Sequence, residues 1–361
     1  MRLDYQRFGL NLRHEWTIAS KLGDRGLRVA PAILVELTHG ELSGRGEANP
    51  PQRYGESEAS VIAFLQRVEE RGLSFDHIPG SMKYLESVAP GNRSAKSAIN
   101  LALLDGAARQ ANQPVHDWLG LKFIEGQHLT SFSIGLDAAE TTRRKVLEAA
   151  EFPVLKIKVG SPDDRANWAV LRQAAPGKRV RADANEGWST KEEALRNLEW
   201  LAADGKVEFV EQPMPAETPL ADLVWLKARS PLPLFADEVY HHAADAARCA
   251  EGFHGVNVKL AKTGGLTGAL AALKAARQAG LKTMIGCMIE SSLAITAAAH
   301  LAELADYLDL DGNLLISNDP FVGCTAKQGV LSLAEAPART GLQVLAVNPG
   351  AAGMAVQSKG L

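Results

Sequence analysis

Three acidic residues, Asp183, Glu211 and Asp237, recur along the chain at intervals that could bring them together in space. Each lies at the end of a short apolar run of strand length, and the spacings of 28 and 26 residues correspond to about one strand plus one helix. Because the carboxyl ends of parallel barrel strands converge on one face, we expect three neighbouring carboxylates there. Buried carboxylates repel one another unless a cation is bound, and all-oxygen ligands suit Mg²⁺. The alternative is that each acid pairs with a basic side chain or caps the next helix.

Lysines flank this acidic series on both sides. Lys158 precedes it by 25 residues and Lys259 follows it by 22. Lys156 and Lys158 are two apart on one predicted strand and therefore point to the same side, so that one of the two pKa values should fall, as a lysine general base requires. A substrate on the metal would then have an amine on each side. This arrangement suits removal of a carbon-bound proton from one face and its return to the other.

Two further charged residues near the acids receive structural interpretations. Glu238 is interpreted as a hydrogen-bonding or ion-pairing neighbour of Asp237. Lys262 is interpreted as a solvated residue at a strand end.

The apolar periodicity between the charged residues predicts the elements that position them. Helix-start signals occur at residues 161–164 and 189–192, with a proline at the first helical position in one and a capping box in the other. The first barrel strand is expected at 131–134, the seventh at 283–288 and the eighth at 307–310. The sequence therefore predicts an α/β protein with a TIM-like (β/α)7–8 barrel.

The residues before the barrel predict a smaller α+β domain. Strands are expected at 3–12 and 32–37, turns or loops at 39–41 and 44–47, and helices at 57–71 and 94–110. We expect this domain to cap the barrel. The predicted boundaries are a capping domain at 1–128, the barrel at 129–318, and a C-terminal segment at 319–361 that returns to the capping domain.

Composition excludes several classes of protein. A net charge of −3 gives no electrostatic reason to expect nucleic acid, and no apolar run reaches the ~18 residues that span a bilayer. The N-terminus lacks the apolar core of a signal peptide. The three cysteines lack CxxC spacing, which favours a reduced, cytoplasmic setting.

The ordered motifs resemble those of the enolase superfamily, in its muconate-lactonizing subgroup, and within it the dipeptide epimerases. The resemblance covers nearly the whole chain and rests on LKIKVG at 155–160, DAN at 183–185, VEQP at 210–213, ADE at 236–238, NVKLAKTGG at 257–265 and DLDG at 309–312. The segment 286–291 has no histidine, which argues against the subgroup whose second base is a His–Asp pair.

The resemblance implies an enolase-like fold, one Mg²⁺ per subunit and a small dipeptide substrate. By it, Asp183, Glu211 and Asp237 are the metal ligands, Lys158 and Lys259 are the two bases, and Lys156 supports the enolate. Asp309 and Asp311 would hold the substrate α-ammonium. Ser133 matches a small hydroxyl residue of the family's first barrel strand, and Met288 and Glu290 are included among the expected substrate contacts. Homo-oligomers are common for this fold.

One region departs from the family pattern and bears on substrate choice. In the Ala–Glu epimerases a basic residue of the mobile N-terminal loop meets the glutamate, and Lys21 or Arg25 could serve here. We therefore expect epimerisation at the C-terminal residue of an Xaa–Glu dipeptide such as L-Ala-D/L-Glu. Hydrophobic or other dipeptides are the alternative, followed by elimination or cycloisomerisation of the o-succinylbenzoate synthase or muconate cycloisomerase type, and by a catalytically silent binding protein.

Overall fold

The computed structural model describes residues 1–23, 26–347 and the backbone of 357–358, and it begins with an antiparallel sheet covered by helices. The strands are β1 (Arg2–Trp16), β2 (Leu27–His39) and β3 (Leu42–Ala48), and the helices are α1 (Glu58–Arg67), α2 (Ile78–Val88), α3 (Arg93–Gln110) and α4 (Val115–Trp118). Strand β2 pairs with both β1 and β3. Helix α3 packs across this sheet, and its residues from Ser94 to Ala108 are buried.

The prediction of turns or loops through Gly44–Glu47 is wrong, because these residues lie in β3. Glycines suggested a turn, but here they allow α3 to approach the sheet closely. A Cβ atom at Gly44 would lie 2.0 Å from the carbonyl oxygen of Ala102, and one at Gly46 would lie 1.9 Å from that of Ala98. Only a residue without a side chain fits against the helix backbone at these two positions.

The next part of the chain forms a sheet of eight parallel strands in sequence order. Its strands are β4 (Phe132–Ile134), β5 (Val154–Lys158), β6 (Arg179–Asp183), β7 (Val207–Glu211), β8 (Leu234–Ala236), β9 (Gly255–Val258), β10 (Lys282–Gly286) and β11 (Tyr307–Asp309). One parallel bridge between Thr130 and Leu308, with a hydrogen bond from Ser131 N to Leu308 O of 3.2 Å, connects the first strand with the last. The sheet is therefore a nearly closed barrel.

Helices connect these strands on the outside of the barrel. They are α5 (Ala139–Glu148), α6 (Asp164–Ala174), α7 (Lys191–Ala202), α8 (Leu220–Lys227), α9 (Ala246–Gly252), α10 (Leu260–Thr263), α11 (Leu266–Gln278) and α12 (Ser292–Ala299). A 3₁₀ turn at Gly312–Leu315 follows the last strand. The architecture confirms the predicted enolase-like fold, a TIM-like barrel with an N-terminal α+β cap.

The chain after the barrel adds short strands and contacts α3 and α4. These strands are β12 (Phe321–Val322), β13 (Thr325–Lys327), β14 (Val330–Ser332), β15 (Leu345–Ala346) and β16 (Gln357–Ser358). Leu342 N donates to Asp105 of α3, Val115 N donates to Gly341 O, and β16 pairs with β1. Among the described helices none has the length and hydropathy needed to cross a membrane.

Candidate active site

Three carboxylates meet at the carboxyl ends of consecutive barrel strands. Asp183 ends β6, Glu211 ends β7, and Asp237 follows β8. Each offers an oxygen within 4.8 Å of the other two, and each side chain is at most 1 % exposed. We call these three residues the carboxylate trio. Their strands are hydrogen-bonded neighbours, so the backbone alone brings the three side chains together.

Each carboxylate of the trio has one oxygen held from behind by a donor that is not one of the three predicted catalytic lysines. Asp183 Oδ1 accepts from Asn185 N at 3.0 Å. Glu211 Oε1 accepts from Asn257 Nδ2 at 2.6 Å, and Asp237 Oδ1 accepts from Lys262 Nζ at 2.5 Å. The second oxygen of each carboxylate faces lysine ammonium groups. The orientation of the trio is therefore fixed, with one oxygen of each residue left for the centre of the site.

The donor set fits a hard divalent cation such as Mg²⁺. All three candidate ligands are carboxylate oxygens, the type that Mg²⁺ prefers. Burial and the nearby charge of Asp183 raise the pKa of Glu211 to about 7, as expected for acids crowded together without a cation. Glu211 Oε2 also lacks a hydrogen bond of good geometry, although Lys156 Nζ lies 2.7 Å away. A cation among the three oxygens would satisfy that atom.

Lys158 and Lys259 lie on opposite sides of the barrel mouth. Lys158 ends β5 and Lys259 directly follows β9, and these strands are four steps apart in either direction around the eight-stranded sheet. Lys158 Nζ lies 2.6 Å from Asp183 Oδ2, and Lys259 Nζ lies 2.7 Å from Asp237 Oδ2. Burial works to lower the pKa of Lys259, but Asp237, together with Glu211 and Tyr54, outweighs burial and holds this pKa well above its usual value.

Lys156 lies deep in the barrel, a position that the sequence pattern alone did not predict. Its ammonium contacts Glu211 at 2.7 Å, Asp309 at 2.8 Å and Asp183 at 3.1 Å, and its side chain is 2 % exposed. Burial works to lower the pKa of Lys156, but Asp309 and the other carboxylates raise it well above the usual value. Repulsion between neighbouring lysines therefore does not make Lys156 neutral.

The eighth strand supplies two acids opposite Glu211. Asp309 accepts from Ser131 Oγ at 2.7 Å and from Ser133 Oγ at 3.4 Å, and Asp311 accepts from Ser133 N at 2.6 Å. Burial is outweighed at Asp309 by Lys156 and Ser131, which lower its pKa to about 2. Burial and the charge of Asp309 raise the pKa of Asp311 to about 7. Asp311, unlike Asp309, has no ammonium partner among the described residues.

Residues from the capping domain approach the same face. Lys158 Nζ lies 5.9 Å from the centre of the Trp16 ring, and Tyr54 packs edge-on against His241 with ring centres 4.8 Å apart. His241 Nε2 hydrogen-bonds to Glu238 O at 2.8 Å, next to Asp237, so the Tyr54 ring lies near the trio. Burial and the charge of Asp237 raise the pKa of Tyr54. An aromatic side chain therefore stands beside each end of the site.

Of the two basic residues expected to select an acidic side chain, the structure describes only Lys21, whose recorded partner lies outside the trio. Lys21 is exposed, and its Nζ donates to Gln52 Oε1 at 3.3 Å. Arg25 lies outside the described residues. Arg53 forms ion pairs with Glu186 at 2.7 Å and with Glu217 at 3.1 Å.

The loop after β10 places the remaining predicted contacts between the barrel and the cap. Met288 is half-buried, and Glu290 is buried, with a pKa that burial and Glu47 raise to about 8. Asn49 Nδ2 donates to Ile289 O at 3.1 Å, which ties the cap to this loop.

The interpretation of Lys262 as a solvated residue is wrong. Its side chain is fully buried, and its Nζ contacts Asp237 and the carbonyl oxygen of Asn257. The helical turn α10 carries Lys262 back toward the barrel, one turn after Lys259. In the sequence, the three-residue spacing between Lys259 and Lys262 is the feature that could have indicated that both side chains lie on the same side of a helical turn. Glu238 accepts from Asn185 Nδ2 at 3.3 Å, and burial and Asp237 raise its pKa to about 8.

Comparisons with known proteins identify the family of the chain. Residues 137–316 match the family model "Enolase C-terminal domain-like", and residues 16–120 match "Mandelate racemase / muconate lactonizing enzyme, N-terminal domain". The chain is 57 % identical to the L-Ala-D/L-amino acid epimerase of Pedosphaera parvula, over 96 % of this chain and 100 % of the relative. It is 35 % identical to the L-Ala-D/L-Glu epimerase of Bacteroides thetaiotaomicron, over 93 % and 86 %.

A solved structure gives the same result for the fold. The dipeptide epimerase of Cytophaga hutchinsonii, complexed with Mg and the dipeptide D-Ala-L-Val, superposes with a TM-score of 0.90 at 26 % identity and covers 99 % of both chains. The chain therefore belongs to the enolase superfamily, to its mandelate racemase/muconate lactonizing enzyme branch, and within that branch to the dipeptide epimerases.

Proposed function

We propose that this protein is a Mg²⁺-dependent epimerase that inverts the α-carbon of the C-terminal residue of a dipeptide. The observation that carries the proposal is the position of Lys158 and Lys259, four strands apart in both directions around the barrel, with the carboxylate trio between them. Two amines on opposite sides of one carbon atom can remove a proton from one face and return a proton to the other.

The carboxylate trio would hold the cation, with the second oxygen of each residue turned toward it. Bound there, Mg²⁺ would supply positive charge next to the substrate carboxylate, where negative charge develops as the α-proton leaves. Lys156 adds a fixed ammonium beneath the same region, because Asp309 and Glu211 keep it charged. The cation and the Lys156 ammonium would both stabilise the negative charge that develops on the substrate carboxylate.

Proton transfer uses the two outer lysines, Lys158 and Lys259, with one of them neutral and the other charged. In one direction neutral Lys158 Nζ accepts the α-proton and the Lys259 ammonium donates its proton to the opposite face. Lys158 is then charged and Lys259 neutral, which is the state needed for the reverse direction. Asp237 favours the ammonium form of Lys259 and so supports its role as the donor.

Asp311, together with Asp309, would bind the substrate's N-terminal ammonium. Asp309 ends the strand opposite that of Glu211, and Asp311 follows it by two residues, so a dipeptide can reach from the metal to them across the barrel mouth. Asp311 accepts a hydrogen bond from Ser133 N and still has oxygen available for a cation. Substrates of elimination or cycloisomerisation carry no ammonium group, which favours epimerisation among the reactions of this fold.

For the substrate side chains we propose L-Ala followed by a range of residues, with Glu among them. The P. parvula relative is named for L-Ala-D/L-amino acids. Aromatic side chains at Trp16 and Tyr54, and the engagement of Lys21 by Gln52, support a broad preference. Strict Xaa–Glu preference is the second candidate, favoured by the B. thetaiotaomicron relative. A cytoplasmic location and homo-oligomer formation remain proposals from the sequence.

A dipeptide library in buffer with Mg²⁺ tests this function. L-Ala-L-Glu, L-Ala-L-Leu, L-Ala-L-Phe and L-Ala-L-Lys are followed by proton NMR, with N-acetyl-L-Ala-L-Glu as the control that lacks the ammonium. We expect diastereomers from several of the free dipeptides and a large loss of rate for the acetylated one. Inversion of L-Ala-L-Glu alone would instead establish the strict preference, and a binding protein without activity would convert none of them.

A further inference from the structure

Lys262 and Asn257 lie directly behind the carboxylate trio, and neither takes part in the proton transfer proposed above. Lys262 is 1 % exposed, and its Nζ donates to Asp237 Oδ1 and Asp237 O, both at 2.5 Å, and to Asn257 O at 3.1 Å. One ammonium thus uses its three protons on the backbone and side chain of a candidate metal ligand and on the neighbouring strand. A residue of this kind fixes positions rather than reacting.

Asn257 makes the equivalent contact to the next ligand. Its Nδ2 donates to Glu211 Oε1 at 2.6 Å, and the side chain is fully buried. Gly286 on the adjacent strand makes room for it, because a Cβ atom there would lie 2.6 Å from Asn257 Oδ1. The Lys262 contact to Asn257 O joins the two side chains into one unit.

We propose that Lys262 and Asn257 are positioning residues that form a brace for the metal site. The brace holds Asp237 Oδ1 and Glu211 Oε1 from behind, which leaves Asp237 Oδ2 and Glu211 Oε2 as the oxygens that would bind a cation. Asp183 needs no such side chain, because the backbone of its own loop supplies the donor. The inference rests on the proposed function to the extent that the trio binds a divalent cation.

Charge and orientation predict opposite effects when Lys262 is replaced. A lysine ammonium repels a nearby cation, so removal of its charge alone would tighten metal binding. Removal of a hydrogen-bonding partner that orients a ligand weakens metal binding by about 10–100-fold. Replacement of Lys262 should therefore weaken metal binding if this residue orients Asp237, and tighten it if Lys262 only balances the charge of Asp237.

The test is Mn²⁺ binding to the metal-free protein without substrate, measured by electron paramagnetic resonance of free Mn²⁺. The variants are Lys262→Met and Asn257→Ala. Lys96→Met is the matched control, because Lys96 is also fully buried and pairs with a carboxylate outside the trio, Glu86 of the capping domain, at 2.6 Å. Circular dichroism melting shows whether each variant is folded.

The brace predicts about 10–100-fold weaker Mn²⁺ binding in both variants and wild-type binding in Lys96→Met. Equal or tighter binding in folded Lys262→Met overturns it. If Lys262→Met does not fold, Asn257→Ala decides, and unchanged affinity there overturns the brace. Exchange of the α-proton by the wild type is measured on the same preparation: Mn²⁺ binding without exchange contradicts the proposed epimerase and leaves the brace standing.

Discussion

Replacing either outer lysine by alanine should divide the reaction into two halves. Lys158→Ala removes one base, but Asp183 retains its ion pair with Lys156 at 3.1 Å. Lys259→Ala removes the other base, but Asp237 retains its ion pair with Lys262. Because no carboxylate of the trio loses its last ammonium partner, both variants should retain the fold and the metal site. Each variant therefore isolates the contribution of one base.

The expected size follows from the role of a general base. Loss of a positioned base lowers the rate by about 10²–10⁴-fold, or about 2.7–5.4 kcal/mol at 1.36 kcal/mol per factor of ten. Both variants should lose epimerisation by this amount. Each should still exchange the α-proton of one epimer with solvent, because the remaining lysine reaches one face, and the two variants should exchange opposite epimers.

The assay is proton NMR in D₂O with L-Ala-L-Glu and L-Ala-D-Glu supplied separately to the wild type and to each variant. The wild type should exchange the C-terminal α-proton of both. The two-base account is refuted if both variants exchange the same epimer, or if one of them keeps epimerisation at the wild-type rate. Melting curves confirm that each variant is folded.

Four further predictions follow from other contacts. Removal of Mg²⁺ with EDTA should abolish epimerisation, and Mg²⁺ at 100 times its Kd should stabilise the protein by about 2.7 kcal/mol in thermal melts, whereas an unchanged melting temperature would contradict the metal site. Gly46→Ala should lower the free energy of unfolding by about 1–3 kcal/mol because its Cβ meets the Ala98 carbonyl, and Gly177→Ala, with open space around it, is the control in urea titrations. Burial and His116 lower the pKa of His300 to about 3, below its unfolded value of about 6.5, so stability should fall by up to about 1.4 kcal/mol per pH unit as the pH drops from about 6.5 toward 3. In denaturant melts at several pH values, the free energy of unfolding of His300→Gln should depend less on pH than that of the wild type. An identical pH dependence would argue against this assignment. Lys21→Gln should leave the ratio of rates for L-Ala-L-Glu and L-Ala-L-Leu unchanged, and a fall in that ratio would show that Lys21 contacts the glutamate.

The sequence predicts the centre of the site because the reactive residues recur once in each strand–helix repeat of the barrel. Each of these strands ends on a charged residue or is directly followed by one, so the order of Lys158, Asp183, Glu211, Asp237 and Lys259 along the chain becomes their order around the barrel. Parallel pairing then brings their side chains to one face. Knowledge of the helix boundaries is not needed for that step.

Residues outside this period could not be placed in the same way. Trp16 and Tyr54 reach the site from capping-domain segments that have no regular spacing relative to the barrel strands. Lys262 follows Lys259 by one helical turn, and its burial depends on the short helix that turns it inward. Glycine at 44 and 46 suggests a turn, and only the packed α3 shows that it serves close approach of a helix to a strand.

The position of deuterium in the product tests the central claim most directly. L-Ala-L-Glu is incubated with the wild type and Mg²⁺ in D₂O, and the product is analysed by NMR and mass spectrometry. We expect L-Ala-D-Glu with one deuterium at the α-carbon of the C-terminal residue and none at the alanine α-carbon. Deuterium at the alanine α-carbon, or a product formed by elimination, would contradict epimerisation by Lys158 and Lys259.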